Sequence, residues 1–379
     1  MGKYVGAILM DLSKASDCLP HQLLIAKLNA YNMSLISYSI IASYITNRQQ
    51  RVKLADHKSS WRQTVKGVPQ GSGLGPLIFN IFINDMFYSM KECLVLNYAD
   101  DNTLYTYDYD PNALINRLLN DTNVAINWFS SNFMQANPSK FQSIFLKPMK
   151  KSDPFPEALQ SNDVLIQTHT SVKLLGIHID CKLNYVEHVR FMCKKAARQL
   201  NALKGVSKYL PINNKMLIYR SFILSNFSFC PLVWHFCGKK ETKKIEKINE
   251  RALRIVFSDY VSLYDELLDK SKTNTLFVQR LKRLVTEVYK CIYKISPAPM
   301  HEMSSIKIQK YNLRNKHTVD IPLVTTSRYG SKSFSYLANH IWNQMPNSIK
   351  CSQSQECFKT NLKTWAGPTC NCVLCNIVL

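Results

Sequence analysis

"LNYADDNTLYTY", residues 96–107, sets two adjacent aspartates, Asp100 and Asp101, between two runs of strand-forming residues. Cys93-Leu94-Val95-Leu96 lead in and are apolar throughout; Leu104, Tyr105 and Tyr107 continue beyond. Two such runs around a short polar break predict a hairpin with both aspartates in its turn. A second apolar run, "YVGAILMDL" (4–12), reads as a buried strand that ends at Asp11. If these strands belong to one sheet, three carboxylates meet at one end of it.

Clustered carboxylates repel, and at least one keeps its proton near neutral pH unless cations are present. Two Mg²⁺ ions remove that conflict. Mg²⁺ takes oxygen ligands and keeps places for water and substrate phosphate. A pair of such ions activates a hydroxyl and stabilises the leaving oxygen in an in-line phosphoryl displacement. By spacing alone, a solvated Asp-Asp turn is the commoner reading.

The rest of the chain sorts by periodicity. "CLPHQLLIAKLNAY" (18–31) reads as a helix with Pro20 in its first turn, and "RQQRVKLA" (48–55) as a short strand around Val52 and Leu54. "GVPQGSGLGPLIFNIFINDM" (67–86) is a Gly-rich loop feeding a helix at Pro76. Its glycines at 67, 71, 73 and 75 are expected to let backbone approach a ligand closely. Ile115, Leu118, Leu119, Thr122, Ile126 and Phe129 mark an amphipathic helix, and "VLIQTHTSVKLLGIHID" (164–180) a strand pair. From about 185 to 295 the pattern is helical and basic, and "SPAPM" (296–300) marks a linker.

The chain has 379 residues and a formal net charge of +22, an excess that opposes compaction unless a polyanion offsets it. Between Lys194 and Arg254 there are 14 basic and 3 acidic residues with apolar residues interleaved, which makes a folded basic surface and points to nucleic acid. No signal peptide is visible and no apolar run approaches the ~20 residues of a membrane span. The 12 cysteines lack framework spacing and read as reduced thiols. An intracellular protein, nuclear or cytoplasmic and without a membrane partner, is the expectation.

"YADD" (98–101), "ILMDLSKASD" (8–17), the loop 67–86, "WFSSNFMQANPSKFQ" (128–142) and "VKLLGIHID" (172–180) together resemble the palm motifs of reverse transcriptases. Their extended wording is similar to non-LTR (LINE-type, jockey-like) retrotransposon enzymes, as is "RYGSKSFSYLANHIWNQMPNSIK" (328–350). The resemblance implies an α+β fold: a polymerase palm with residual fingers, an antiparallel sheet with helices on one face, over 1–184. A helical, basic, thumb-like domain over 185–296 and a small mixed C-terminal region over 297–379 would follow. It implies an RNA-directed DNA polymerase that binds an RNA template, a DNA primer and dNTPs and uses two Mg²⁺ ions. Asp11, Asp100 and Asp101 would be the metal-binding catalytic acids. Tyr98 and Ala99 would lie beside the primer end, and Gln70, Gly71 and Ser72 against the templating base and incoming nucleotide. Lys140 matches a lysine that protonates the leaving pyrophosphate, and Leu175 and Gly176 match a turn that grips the primer.

The chain departs from the family at several points. Ser16 stands where an aromatic residue usually excludes a 2′-hydroxyl, which implies weaker sugar discrimination or simple sequence decay. Gly73 stands where Ile or Val is commoner. Only ten residues precede Asp11, so a truncated reading frame lacking upstream fingers and endonuclease is expected. The end "CNCVLC" offers Cys370, Cys372 and Cys375 as three possible Zn²⁺ ligands, or as a plain cysteine-rich tail. The expected enzyme is a partial or inactive copy that binds nucleic acid but extends a primer little or not at all by itself, and the alternative is a non-catalytic nucleic-acid-binding remnant of a retroelement. A group II intron-type maturase fits the "GVPQGSGLGP" wording and the tail less well.

Overall fold

Strand β1, Tyr4–Met10, alternates buried and half-buried residues along its length, with Tyr4, Gly6, Ile8 and Met10 on the buried side. That alternation fits a central strand covered more tightly on one face. β1 lies inside a six-stranded sheet with β2 (Leu94–Tyr98), β3 (Asp101–Asp108), β4 (Gln142–Leu146), β5 (Ala158–Ser161) and β6 (Val164–Thr168). The strand order is β5-β6-β4-β1-β3-β2. Two more strands, β7 (Ser171–Leu174) and β8 (Ile177–Asp180), form a separate antiparallel hairpin. The computed structural model describes residues 2–148, 151, 153–307 and 317–368, and it divides into the units Met1–Lys182 and Leu183–Leu379.

The first unit mixes this sheet with helices α1 (His21–Ala30), α2 (Gly75–Ile83) and α3 (Pro111–Ser131). α3 begins where Asp110 accepts hydrogen bonds from the Asn112 and Ala113 amides, with Pro111 in the first turn. Its buried residues, among them Leu114, Leu118, Ala125 and Phe129, join Ile8, Phe82 and Phe145 in one core. Gly6 sets the helix-to-sheet spacing. A Cβ there would stand 2.7 Å from Leu118 Cδ1 and 2.9 Å from Phe145 Cε1, so only glycine admits this approach.

The sheet is mixed and not purely antiparallel as expected. β4 and β6 run parallel, paired at Gln142↔Gln167 and Ser143↔Thr168. The chain leaves β4 and returns as the β5–β6 hairpin, whose second strand meets β4. The expected strand near Val52 and Leu54 is a pair of two-residue rungs in an exposed hairpin arm, Gln49–Gln50 with Arg62–Gln63 and Lys53–Leu54 with His57–Lys58. Both side chains are over 70 % exposed, so no burial holds them to a larger sheet.

The second unit is helical where described, with α4 (Val186–Val206), α5 (Lys239–Phe257), α6 (Leu276–Ile292), α7 (Phe334–Gln344) and α8 (Gln355–Lys363) as its longer elements. One core gathers Leu200, Tyr219, Trp234 and Leu253. Another gathers Leu284, Ile341, Trp342 and Phe358, and so draws on residues from both sides of 297. Buried Glu246 joins α5 to the start of α6, accepting hydrogen bonds from the Leu276 and Phe277 amides and from the Tyr264 hydroxyl. Among the described residues no helix is long and apolar enough to cross a membrane.

Candidate active site

Sheet register brings the three acids to one end of three neighbouring strands. Met10 pairs with Asn102 across β1 and β3, so Asp11, one residue on, faces Asp101, one residue back. Tyr98 pairs with Asp101 and closes the β2–β3 turn around Ala99 and Asp100. Asp100 is in the turn; Asp101, expected there too, is the first residue of β3. Ala99 takes the left-handed conformation, φ 53°, as tight hairpin turns demand. Tyr98 is 69 % exposed beside it.

The acids are close enough to feel one another. The Asp101 carboxyl is held above its ordinary range, first by burial, then by the charge of Asp100, then by that of Asp11. Among the described residues, Lys140 is the cation paired with the group: its Nζ donates to Asp11 Oδ2 at 3.2 Å. It arrives there because Leu12↔Ala136 and Ser13↔Gln135 pair antiparallel, and because the Asn137 amide donates to the Asp11 carbonyl at 2.9 Å. Lys140 is exposed and the Asp11 side chain 35 % exposed, so the pair is screened and worth at most about 1 kcal/mol.

Loop 67–75 is stitched to the segment that follows β1. The Val68 amide donates to the Ser16 carbonyl at 2.9 Å, and Gln70 Nε2 to Asp17 Oδ1 at 2.9 Å. Ser16 itself is exposed. The four glycines divide by role, which corrects the expectation that all serve ligand approach. A Cβ on Gly67 would lie 2.9 Å from the Asp17 Cα, and one on Gly75 would lie 3.2 Å from the Pro69 carbonyl. Those two accommodate the protein's own backbone. Gly71, at φ +78°, and Gly73 face open space. Ser72 Oγ accepts from the amide of Gly75, the first residue of α2, at 2.9 Å.

Leu175 and Gly176 form the turn between β7 and β8, with φ 46° and 87°. Leu175 is 46 % exposed, an apolar side chain at a hairpin tip. Cys370, Cys372 and Cys375 lie outside the described residues. Among the described residues no three or more His, Cys, Asp or Glu side chains close into a metal-holding group. What Asp11, Asp100 and Asp101 offer is a set of mutually repelling oxygen donors, which is the donor chemistry a hard divalent cation takes.

Two acids were missed by reading the sequence. Asp17 anchors Gln70, and Asp121, buried within α3, accepts from the Glu92 and Cys93 amides at 2.9 and 2.7 Å and fixes the entry to β2. Asp121 had a signal: it is an acid on the apolar stripe between Leu118 and Ala125.

Residues 1–179 match the family model described as reverse transcriptase (RNA-dependent DNA polymerase). The chain is 24 % identical over 264 residues to a probable RNA-directed DNA polymerase from transposon BS of Drosophila melanogaster, covering 67 % of this chain and 29 % of that protein. It is 26 % identical over 261 residues to the RNA-directed DNA polymerase from mobile element jockey of the same species, covering 66 % and 28 %. The chain therefore spans under a third of the length of these curated relatives. Among solved structures, apo telomerase from Candida tropicalis aligns with TM-score 0.36 at 12 % identity, over 70 % of this chain and 43 % of that one. Telomerase from Candida albicans with a fragment of telomeric RNA aligns with TM-score 0.30 at 15 % identity, over 79 % and 48 %.

Proposed function

We propose, from the match of residues 1–179 to the reverse transcriptase family model and the similarity to mobile-element polymerases, that this chain carries an RNA-directed DNA polymerase site. One observation carries the reading. Three carboxylates, Asp11 after β1 and Asp100 and Asp101 at the β2–β3 turn, meet at one end of the sheet, and burial, then Asp100 and then Asp11 hold the Asp101 carboxyl above its ordinary range. A structural role gives no reason to gather like charges there.

Asp11, Asp100 and Asp101 would hold divalent ions, with Mg²⁺ the natural occupant. The ions would supply charge neutralisation and activation of the primer hydroxyl. The chain's own groups do the rest. Lys140 holds a proton on Nζ beside Asp11, where it serves as the donor to the leaving pyrophosphate. The open glycines 71 and 73 leave backbone free at the loop that meets the templating base and the nucleotide. Tyr98 offers an exposed ring beside the turn, and the Leu175–Gly176 tip presents an apolar contact to the primer. The sheet unit then acts as a palm and the basic helices of the second unit as a thumb-like holder of template and primer phosphates. Ser16, small and exposed, leaves the sugar site without a wall, so selection against ribonucleotides is weak.

Primer extension on poly(A)·oligo(dT) with Mg²⁺ tests the reading, with Asp100→Asn/Asp101→Asn as the control. Synthesis lost in the control with nucleic-acid binding retained supports it. Binding without synthesis in either protein leaves a nucleic-acid-binding remnant and sinks the polymerase reading.

A further inference from the structure

The β2–β3 turn is held from behind by two asparagines. Asn97 and Asn102 are cross-strand partners immediately inside the Tyr98–Asp101 rung. Asn97 Nδ2 donates to the Ala99 carbonyl at 2.8 Å and to Asn102 Oδ1 at 2.8 Å. Asn102 Nδ2 donates to the Asp100 carbonyl at 3.0 Å. Both carbonyls of the turn residues therefore end on side-chain amides that are bonded to each other.

The chemistry of the pair suits this place. The turn has only two residues, and one of them, Ala99, is an L-residue in the left-handed region, which is disfavoured unless its surroundings hold it. Asparagine alone among residues of this length both donates and accepts, so two of them can bond to each other and still reach the turn. Neither adds charge beside three carboxylates. Asn102 is 1 % exposed, and strand alternation sends its side chain to the face opposite that of Asp101. The same residue pairs with Met10, next to Asp11, so the amide sits where the two acid-bearing segments meet.

We propose that Asn97 and Asn102 are positioning residues: a neutral amide clamp that locks the 98–101 turn and so fixes where Asp100 and Asp101 present their carboxylates. The inference rests on reading those acids as the metal-binding pair. The clamp acts through the backbone and touches no substrate atom.

The test uses the full chain and Mn²⁺ followed by its electron paramagnetic resonance signal. Wild type is compared with Asn102→Leu, Asn97→Ala and the control Asp100→Asn/Asp101→Asn. Amide hydrogen exchange is read in parallel over residues 96–103, together with the thermal midpoint. The expected result is Mn²⁺ affinity lowered about tenfold in each asparagine variant, the size typical when a support of metal ligands is lost. Turn amides should exchange faster while exchange elsewhere is unchanged. Asn97→Ala, at a half-buried site, keeps the test decisive if the buried Asn102→Leu does not fold. Faster exchange with unchanged Mn²⁺ affinity makes the asparagines structural only and overturns the proposal. Unchanged exchange and affinity overturn it outright. Wild type binding Mn²⁺ no better than the double-Asp control defeats the metal reading itself, and the positioning role with it.

Discussion

At the scale of single residues, the charge of Asp101 is the feature with the clearest consequence. Its carboxyl is held above the ordinary range by burial and by two neighbouring acids, so its ionised form costs the folded state. That cost is fully present above the raised folded value. It declines as pH falls, because the folded chain takes up the proton first, and it is gone below the unfolded value. Asp101→Asn is therefore expected to raise the thermal midpoint at pH 7 without divalent ions, by no more than about 2 °C given its exposure. The gain should shrink on acidification through the carboxylate range and on addition of Mg²⁺. Differential scanning calorimetry at pH 7 and pH 4, with and without Mg²⁺, checks this; a midpoint lowered at pH 7 would contradict it. The three acids were legible because each interrupts an otherwise apolar run. The Lys140–Asp11 contact was not legible from residues alone, since it depends on pairing between 12–13 and 135–136, some 120 positions apart. Nothing in the spacing of Asn97 and Asn102 indicated that their amides would bond to each other.

At the scale of elements, two backbone sites separate packing from function. Gly6 lies where α3 meets β1, with a would-be Cβ overlapping Leu118 and Phe145, and the Phe145 ring is itself stacked on Phe155 at 4.1 Å. Gly6→Ala should destabilise the first unit by about 1–3 kcal/mol, the usual cost of overpacking, as read by urea unfolding. Equal stability would mean the helix can back away. Leu175 is the opposite case. It sits in the left-handed conformation at φ 46° in a two-residue hairpin turn before Gly176, where Asn-Gly is the favoured pair. Leu175→Asn should stabilise by about 0.5–1 kcal/mol, and under the proposed reading it should weaken primer binding. A stable variant with unchanged primer affinity would remove the primer contact from the site. β1, the β2–β3 hairpin and α3 could be read directly, because periods of two and 3.6 are written into their apolar residues. The parallel β4–β6 pair could not, since a partnership such as Gln142 with Gln167 leaves no local pattern. The roles of Gly67 and Gly75 were hidden for the same reason: what a glycine makes room for is decided by a neighbour distant in sequence.

At the scale of the whole molecule, the net charge of +22 favours a polyanionic partner, and α5 carries part of that charge. Lys240, Lys243, Lys247 and Arg251 are all exposed and recur at three- and four-residue steps, so they form one stripe along the helix. Of the basic residues on this helix, Lys244 and Arg254 are paired, with Glu241 and Glu250 respectively. Ile245, Ala252, Leu253 and Val256 anchor the opposite face in the core, so the stripe is held rigid and not merely tethered. A rigid row of cations with a step of about 5 Å matches a phosphate backbone better than it matches scattered acids on a protein. If it serves nucleic acid, each cation that meets a phosphate releases a counterion and adds about 0.9 to the salt slope on a duplex. Changing Lys243, Lys247 and Arg251 together to Ala should flatten that slope by about 2–3 and weaken binding evenly across sequences. The thermal midpoint should hold, since exposed side chains seldom contribute more than about 0.5 kcal/mol each. Fluorescence anisotropy with a primer–template duplex between 50 and 200 mM KCl reads the slope. A slope equal to that of wild type would take α5 out of the interface and leave the basic face of α4, with Arg190, Lys194 and Arg198, as the surface to test next.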